Sequence, residues 1–310
     1  MSNKLLQTFK NQKILITGGT GSIGSVMVRK LLEFEPAQIR IFSRDESKHF
    51  FLQQELEKEF PEADIRFLIG DIRDKDRLEM AISGIDLIFH AAALKHVPFC
   101  EYNPFEAIKT NVHGTQNLID LAIKHQVKKV VAVSTDKAVN PNTVMGITKL
   151  LMERMIISTQ NYLGDAPTKF SVVRFGNVLN SRGSVIPTWI KQIKNGDPIT
   201  ITDKKMQRFF MEISEAVDLV FEAASTSFGQ EIFVLKMPKK NIYSLARETI
   251  ARYGFGKKIR VEIVGKRERE KLDEILYTKE EAELMIELEK YFVILPNLKV
   301  FNERKKAYEG

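Results

Sequence analysis

Three glycines spaced three apart constrain this chain more than any other feature. In Thr17-Gly18-Gly19-Thr20-Gly21-Ser22-Ile23-Gly24 they follow an apolar run and open an amphipathic one. Without side chains at Gly18, Gly21 and Gly24, the backbone can turn tightly, approach a pyrophosphate and pack helix on strand. The helix N-terminus then faces the negative charge. A glycine turn alone is a weak signal. A strand before it and a helix after it are the context that points to dinucleotide binding.

From Lys13 onward, short apolar runs alternate with longer amphipathic stretches. Strands are expected at 14–17, 39–42, 65–69, 87–91, 130–134 and 170–174, and helices at 22–33, 46–60, 77–82, 104–125 and 146–162. Runs rich in Val and Ile without polar alternation belong to a sheet covered on both faces, which means parallel strands with crossover helices. The fold class is therefore α/β, a Rossmann-like doubly wound parallel sheet with a smaller C-terminal lobe. After Arg174 the rhythm loosens. Residues 214–224 read as helix, 231–236 as strand, and 279–290 as helix rich in acids and bases. We expect a nucleotide-binding domain over 1–176 and a mixed substrate-binding lobe over 177–310. The boundary near Gly176 is soft, with some elements returning to the first domain.

The 310 residues carry a formal charge of +7, with 44% hydrophobic and 28% charged side chains, a globular balance and not a disordered one. The densest basic stretch, Lys266-Arg267-Glu268-Arg269-Glu270-Lys271, is interleaved with acids. It lacks the cation-dense face a phosphate backbone needs, so nucleic acid is not an expected partner. Cys100 is the only cysteine, which excludes an intrachain disulfide and fits a reducing compartment. Its simplest role is a small buried hydrophobe. No apolar run is long enough to cross a bilayer, and residues 1–13 lack the apolar core of a signal peptide. A cytoplasmic protein with no membrane contact and no metal is expected.

The end of the second strand bears on cofactor choice. An Asp or Glu there would accept from a ribose 2′-hydroxyl and repel a 2′-phosphate. The chain reads Phe42-Ser43-Arg44-Asp45-Glu46-Ser47-Lys48 instead. Ser43, Arg44 and Lys48 suit a dianionic phosphate, which favours NADP. The competing reading is a solvated helix N-terminus, a role Asp45 and Glu46 would fill. After the third strand, Asp71 in Gly70-Asp71-Ile72 is suited to accept from the adenine amine. Ala91, Ala92 and Ala93 after the fourth are small enough to admit the cofactor backbone.

At the carboxyl edge of the fifth strand, where α/β sheets place ligands, stand Ser134-Thr135-Asp136-Lys137. Met145 and Lys149, four apart on the next helix, share a face. A lysine there can bond nicotinamide ribose hydroxyls and lower the pKa of nearby acids. Each residue has an ordinary reading by itself: a helix cap, a solvated lysine, a core methionine. Beside a cofactor turn they read as a reacting centre.

Gly18-x-x-Gly21-x-x-Gly24 has the spacing of the short-chain dehydrogenase/reductase superfamily. Further segments narrow the likeness: His90-Ala91-Ala92-Ala93-Leu94-Lys95-His96-Val97-Pro98, Thr110-Asn111, Thr135-Asp136-Lys137-Ala138-Val139-Asn140-Pro141 and Arg174-Phe175-Gly176-Asn177-Val178. With Ser181-Arg182-Gly183-Ser184-Val185-Ile186-Pro187, Arg208-Phe209-Phe210-Met211 and 267–274, the chain resembles the UDP-N-acetylglucosamine 4,6-dehydratases of bacterial surface-glycan synthesis over nearly its whole length. That resemblance implies NADP, a UDP-sugar substrate, and homo-oligomers, often hexamers. It also implies a redox-neutral dehydration. Hydride leaves sugar carbon 4 for NADP+, carbon 5 loses a proton, carbon 6 loses its hydroxyl, and the hydride returns to carbon 6. Lys137 is then the base at carbon 5 and Asp136 the acid at the departing hydroxyl, with Thr135 beside them.

The candidate cofactor contacts, taken together, are Thr17, Gly18, Thr20, Gly21, Ser22, Ile23, Gly24, Ser43, Arg44, Lys48, Asp71, Ile72, Ala91, Ala92, Ala93, Lys95, Asn111 and Lys149. The candidate substrate contacts are Lys95, His96, Asn177, Arg182, Val185, Arg208, Arg267 and Glu270, the arginines because a planar fork suits phosphate oxygens. The superfamily's usual tyrosine, four before the lysine, is Met145, a thioether that cannot accept a proton; some dehydratases of this family carry the same methionine. Asp136, or a water held by Lys149, is expected to take the carbon 4 hydroxyl proton. Two other readings stay open. A nucleotide-sugar 4-epimerase would return hydride to carbon 4, and Met145 argues against it. A non-catalytic NADP-binding regulator is opposed by Asp136-Lys137 and the lobe's arginines.

Overall fold

A computed structural model describes residues 3–256 and 258–309. Fourteen strands are present among them: β1 (Lys13–Thr17), β2 (Gln38–Ser43), β3 (Ile65–Ile69), β4 (Leu87–His90), β5 (Lys129–Val133), β6 (Lys169–Arg174), β7 (Asn177–Val178), β8 (Ile199–Ile201), β9 (Gln207–Met211), β10 (Ile232–Leu235), β11 (Lys239–Asn241), β12 (Val261–Ile263), β13 (Met285–Glu287) and β14 (Tyr291–Ile294). Nine form one sheet in the order β13-β14-β10-β6-β5-β4-β1-β2-β3. From β3 to β10 every pairing is parallel; β14 and β13 are added antiparallel at one edge. The order reverses between β1 and β4, so the crevice of a doubly wound sheet opens there.

Side-chain alternation places residues on the two faces. Ile14 and Ile16 of β1 pack with Met27, Val28 and Leu31 of the helix Ser22–Leu32, and with Val217, Val220 and Phe221 of the helix Ile213–Thr226. Leu15, between them, faces the other layer with Leu118, Leu121 and Ala122 of the helix Gly114–Lys124 and Met152 and Ile156 of Val144–Ser158. Burial on both faces is why these strands read as unbroken apolar runs.

The chain after Gly176 contributes both to this sheet, through β10, β13 and β14, and to a smaller body. Trp189, Ile193, Ile199, Ile201, Met206, Phe210, Ile242 and Leu245 form a separate core there, among two small sheets, β11-β9-β7 and β12-β8.

Two expected elements differ. Of 279–290, only Lys279–Ala282 is helical, capped by Thr278 and Glu281; Met285–Glu287 is β13. Ile286 is buried in the sheet core and pairs with Val293 of β14, so edge pairing overrides the helix propensity of a Glu- and Leu-rich stretch. The single helix expected over 104–125 is divided into Pro104–Ile108, a π-helical turn Lys109–His113 and Gly114–Lys124. Such π turns commonly mark functional positions.

Candidate active site

The glycine turn lies in the β1/β4 crevice. Gly18 sits at φ +70°, and a Cβ on it would come within 2.8 Å of Ala91 C and Ala92 N, so only glycine fits between the two strand ends. A Cβ on Gly24 would stand 2.5 Å from Gly18 O. Gly21 precedes the helix Ser22–Leu32 with no side-chain cap, leaving its first N–H groups for an anion. Ile23 packs on the sheet core and anchors that helix. The Thr17 hydroxyl meets His90 Nδ1 at 2.8 Å, and His90 Nε2 meets Thr115 Oγ1 at 3.2 Å. Burial, with Lys149 nearby, lowers His90 to about 3. A neutral imidazole thus ties β1 to β4 under the turn.

Around the far end of the turn, Thr20 Oγ1 lies 2.8 Å from Ser43 Oγ. Arg44 faces Asp71 at 3.5 Å, and Lys48 pairs with Asp45, whose side chain also accepts from Lys48 N. Asp71 is held by Arg73, whose hydrogen bonds outweigh burial and keep the carboxyl below its ordinary range. Ile72 is buried against Gly114. Asn111 is fully engaged within the protein. Its Oδ1 accepts from Leu94 N at 2.8 Å, and its Nδ2 donates to Leu94 O and Thr148 Oγ1, each at 3.0 Å. It fixes the loop that follows Ala91, Ala92 and Ala93.

The candidate catalytic residues gather where β5 and β6 finish. Asp136 is fully buried and opens a short turn, Asp136–Ala138, with its N–H on Phe175 O at 3.0 Å. Its Oδ1 accepts from Lys137 Nζ at 2.9 Å and from the Thr135 hydroxyl at 3.0 Å; Oδ2 has no partner. Lys137 Nζ also donates to Asn177 Oδ1 at 3.1 Å. Gly176 makes room for this carboxylate, since a Cβ there would lie 3.2 Å from Asp136 Oδ2. Lys149 is buried and donates to Val133 O at 2.7 Å; burial lowers it to about 8. Met145 is also buried, packed with Cys100 and Ala107 in a small apolar cluster. Burial raises the Cys100 thiol to about 11, so it is an inert hydrophobe.

The substrate candidates divide into two groups. Arg182 lies on the glycine turn: its N–H donates to Ser22 Oγ at 2.9 Å and its guanidinium to Thr20 O at 3.2 Å. Lys95 donates to Arg182 O at 2.9 Å, and the His96 ring covers Gly183. Val185 begins the helix Val185–Asn195 just beyond. Arg208 is buried, donating to Lys271 O and Leu272 O, with Glu270 at 3.6 Å; Glu270 also accepts from Arg267 N at 3.2 Å. A residue that sequence reasoning passed over joins this second group. Glu274 is 5% exposed, and its Oε2 accepts no hydrogen bond but lies 3.6 Å from Lys271 Nζ, with the charges of Lys137, Asp136 and Arg208 acting on it. Its only signal was its place at the end of the matching segment 267–274. Among the described residues, no group of three or more His, Cys, Asp or Glu is arranged to hold a metal, and no helix is long and apolar enough to cross a membrane.

Residues 14–296 match the family described as polysaccharide biosynthesis protein. An uncharacterized membrane protein of Methanocaldococcus jannaschii is 53% identical over 93% of this chain and 87% of its own length. The inverting UDP-N-acetylglucosamine 4,6-dehydratase of Campylobacter jejuni is 42% identical, over 95% of this chain and 86% of its own. A UDP-glucose 4-epimerase of Rickettsia canadensis is 40% identical, over 97% and 88%. Among solved structures, Pen from Bacillus thuringiensis superimposes with a TM-score of 0.91 at 44% identity, covering 94% of this chain and 91% of that one. A dTDP-glucose 4,6-dehydratase of Streptomyces venezuelae, solved with NAD and TYD, shares the fold at 22% identity and a TM-score of 0.75, covering 84% of this chain and 86% of that one.

Proposed function

The chain belongs to the polysaccharide biosynthesis protein family, and from that membership we propose that it is an NADP-dependent UDP-N-acetylglucosamine 4,6-dehydratase. The observation that carries this reading is the Asp136–Lys137 hydrogen-bonded pair at the end of β5, with Met145 withdrawn into an apolar cluster. A dehydratase needs an acid and a base facing one sugar; it does not need both on separate elements.

The cleft fits a dinucleotide. Gly18 and Gly24 leave room that any Cβ would fill, and the open N-terminus of Ser22–Leu32 suits the pyrophosphate. Ser43 stands where an acid would select NAD, and Lys48 and Arg182 line one cavity with Thr20, which supports NADP. Arg44 and Lys48 are themselves exposed, and their pairings with Asp71 and Asp45 are of the kind that exchanges readily for a phosphate. Asp71 is assigned to the adenine, Ala91 to Ala93 to the wall behind the cofactor, and Lys149 to the ribose.

When bound, NADP would supply the hydride acceptor for sugar carbon 4 and the hydride donor for carbon 6. Lys137 takes the carbon 5 proton as a neutral amine, and Asp136 protonates the departing carbon 6 oxygen. The pair reaches that state from its ion-pair form by moving one proton across the 2.9 Å hydrogen bond. Asn177 holds the lysine in place during the exchange. Arg208, Arg267 and Glu270 are assigned to the UDP moiety and sugar hydroxyls.

The test is incubation with NADP and UDP-N-acetylglucosamine, followed by mass spectrometry for loss of one water. The 40% identical relative named as an epimerase supports a second reading, 4-epimerisation. Unchanged mass with an inverted hydroxyl would select it. Absence of any turnover would leave a cofactor-binding protein without chemistry.

A further inference from the structure

The Asp136–Lys137 pair is one proton-holding site short for the reaction it is assigned. Oxidation at carbon 4 releases the hydroxyl proton when hydride leaves for the nicotinamide. The carbon 5 proton then goes to Lys137, while the carbon 6 oxygen takes a proton from Asp136 and departs as water. Reprotonation of carbon 5, as hydride reaches carbon 6, closes the balance: two protons released, two consumed. Between the first and last of these events the centre holds one proton more than the pair has at rest. If that proton stayed on the pair, Asp136 would be neutral and Lys137 an ammonium, and no base would remain for carbon 5. The usual tyrosine cannot hold it, because position 145 is methionine packed against Cys100 and Ala107.

A third group is tied to the turn that carries the pair: Lys271 Nζ stands 3.6 Å from Glu274 Oε2 and donates to Val139 O at the end of that turn. Glu274 is 5% exposed and carries a buried Oε2 with no hydrogen-bond partner, as does Asp136 through Oδ2. The charged groups around Glu274 are Lys137 and Asp136 from the turn after β5, Arg208 from β9, and Lys271, whose Nζ is 3.6 Å away and donates to Val139 O at 2.8 Å. A buried carboxyl left with a vacant acceptor beside a lysine is costly as a structural device. It is suited to receive a proton. We propose that Glu274 is the third proton holder of this centre, receiving the carbon 4 hydroxyl proton by way of Lys137 and returning it to the Asp136–Lys137 pair when carbon 5 is reprotonated. Desolvation, reinforced by Asp136 and opposed by Lys137, Lys271 and Arg208, raises the Glu274 carboxyl above its ordinary value, so it accepts a proton more readily than a solvated glutamate.

This inference rests on the dehydratase reading, and two measurements separate the two. The first needs no turnover: infrared difference titration of the NADP-loaded protein. A protonated-carboxyl band that disappears in Glu274→Gln, and whose midpoint rises in Lys137→Met because a cation is lost, is the expected result. A band unchanged in both variants overturns the proposal. The second is turnover of UDP-N-acetylglucosamine across pH. Glu274→Gln is expected to lower kcat about a hundredfold, the low end of general acid–base contributions, with KM within about twofold and a changed pH profile. Glu274→Asp restores part of kcat and keeps the proposal testable if the glutamine variant folds poorly. Wild-type kcat and pH profile in Glu274→Gln overturn the inference alone; a wild-type protein that removes no water overturns the dehydratase reading, while the infrared titration still decides the coupling.

Discussion

Replacing Arg174 with methionine removes the cation that joins three parts of the molecule. Arg174 ends β6 at 0% exposure and donates to Glu153 Oε1 and Oε2 at 3.2 and 2.7 Å, to Glu281 Oε1 and Oε2 at 2.9 Å each, and to Leu276 O at 2.9 Å. Methionine fills much of the volume but leaves two carboxylates. Glu281 is 13% exposed and can draw water, whereas Glu153, at 1%, cannot. Breaking a buried pair from one side costs about 3–5 kcal/mol, chiefly for the stranded charge. The same reasoning predicts that Arg174→Met with Glu153→Met recovers about 2 kcal/mol or more of that loss, since an apolar replacement of both partners is close to neutral. Acid adds a signed check. Arg174 outweighs burial and holds Glu281 below its ordinary 4.5, so its contribution is full above that value and is lost as pH falls through the folded-state pKa. The gap between wild type and Arg174→Met should therefore narrow below about pH 4.5. Urea unfolding followed by circular dichroism at pH 7 and pH 4 measures all three. A single variant within about 1 kcal/mol of wild type, or a double variant no better than the single, would refute the stranded-charge argument.

Three further outcomes are expected. Lys137→Ala should abolish the keto-deoxy product, with kcat down at least about a hundredfold and cofactor binding retained, read by product mass and fluorescence titration with NADPH. Gly24→Ala places a Cβ 2.5 Å from Gly18 O and 2.6 Å from Gly19 Cα, so NADPH affinity should fall more than about tenfold while UDP affinity by calorimetry changes little. Met145→Tyr inserts a larger ring into the cluster with Cys100 and Ala107 and should cost about 1–3 kcal/mol without accelerating hydride transfer; a faster rise in absorbance of the reduced nicotinamide would contradict the placement of this side chain.

What was legible in the sequence follows from how locally each feature is determined. The glycine turn was readable because the positive φ of Gly18 and the close contacts of Gly21 and Gly24 arise within one strand, one turn and one helix; only the approach of Ala91 and Ala92 to Gly18 comes from elsewhere in the chain. The sheet was readable because two-sided burial writes itself as Val and Ile runs. The β13–β14 hairpin was not: Met285 to Glu287 favour helix locally, and only pairing with Phe292 to Ile294 makes them a strand. Arg182 was expected at the substrate, and an arginine in a sequence does not say what it will lie against; the fold lays it on Thr20 and Ser22 of the glycine turn.

Glu274 was passed over for a deeper reason, and it bears on how the site is assembled. Parallel strands deliver Thr17, Ser43, His90, Val133 and Arg174 to one edge of the sheet, so residues at strand ends are recognisable from strand positions alone. A loop of the second half has no such rule. Glu274 is brought toward the turn of Asp136 because Arg208 on β9 holds the carbonyls of Lys271 and Leu272, and because Lys271 donates to Val139 O at the end of that turn. Arg174, two residues before Gly176, fixes Leu276 from the other side. The carboxyl is thus pinned between two arginines that act on backbone carbonyls and not on the carboxyl itself. In the proposed chemistry the acid–base pair would stand at the sheet edge and the extra acid in the loop between β12 and β13. The proton count of the proposed chemistry would then depend on the contacts of Arg208, Lys271 and Arg174 that hold this loop, which couples turnover to the packing between the two halves of the chain.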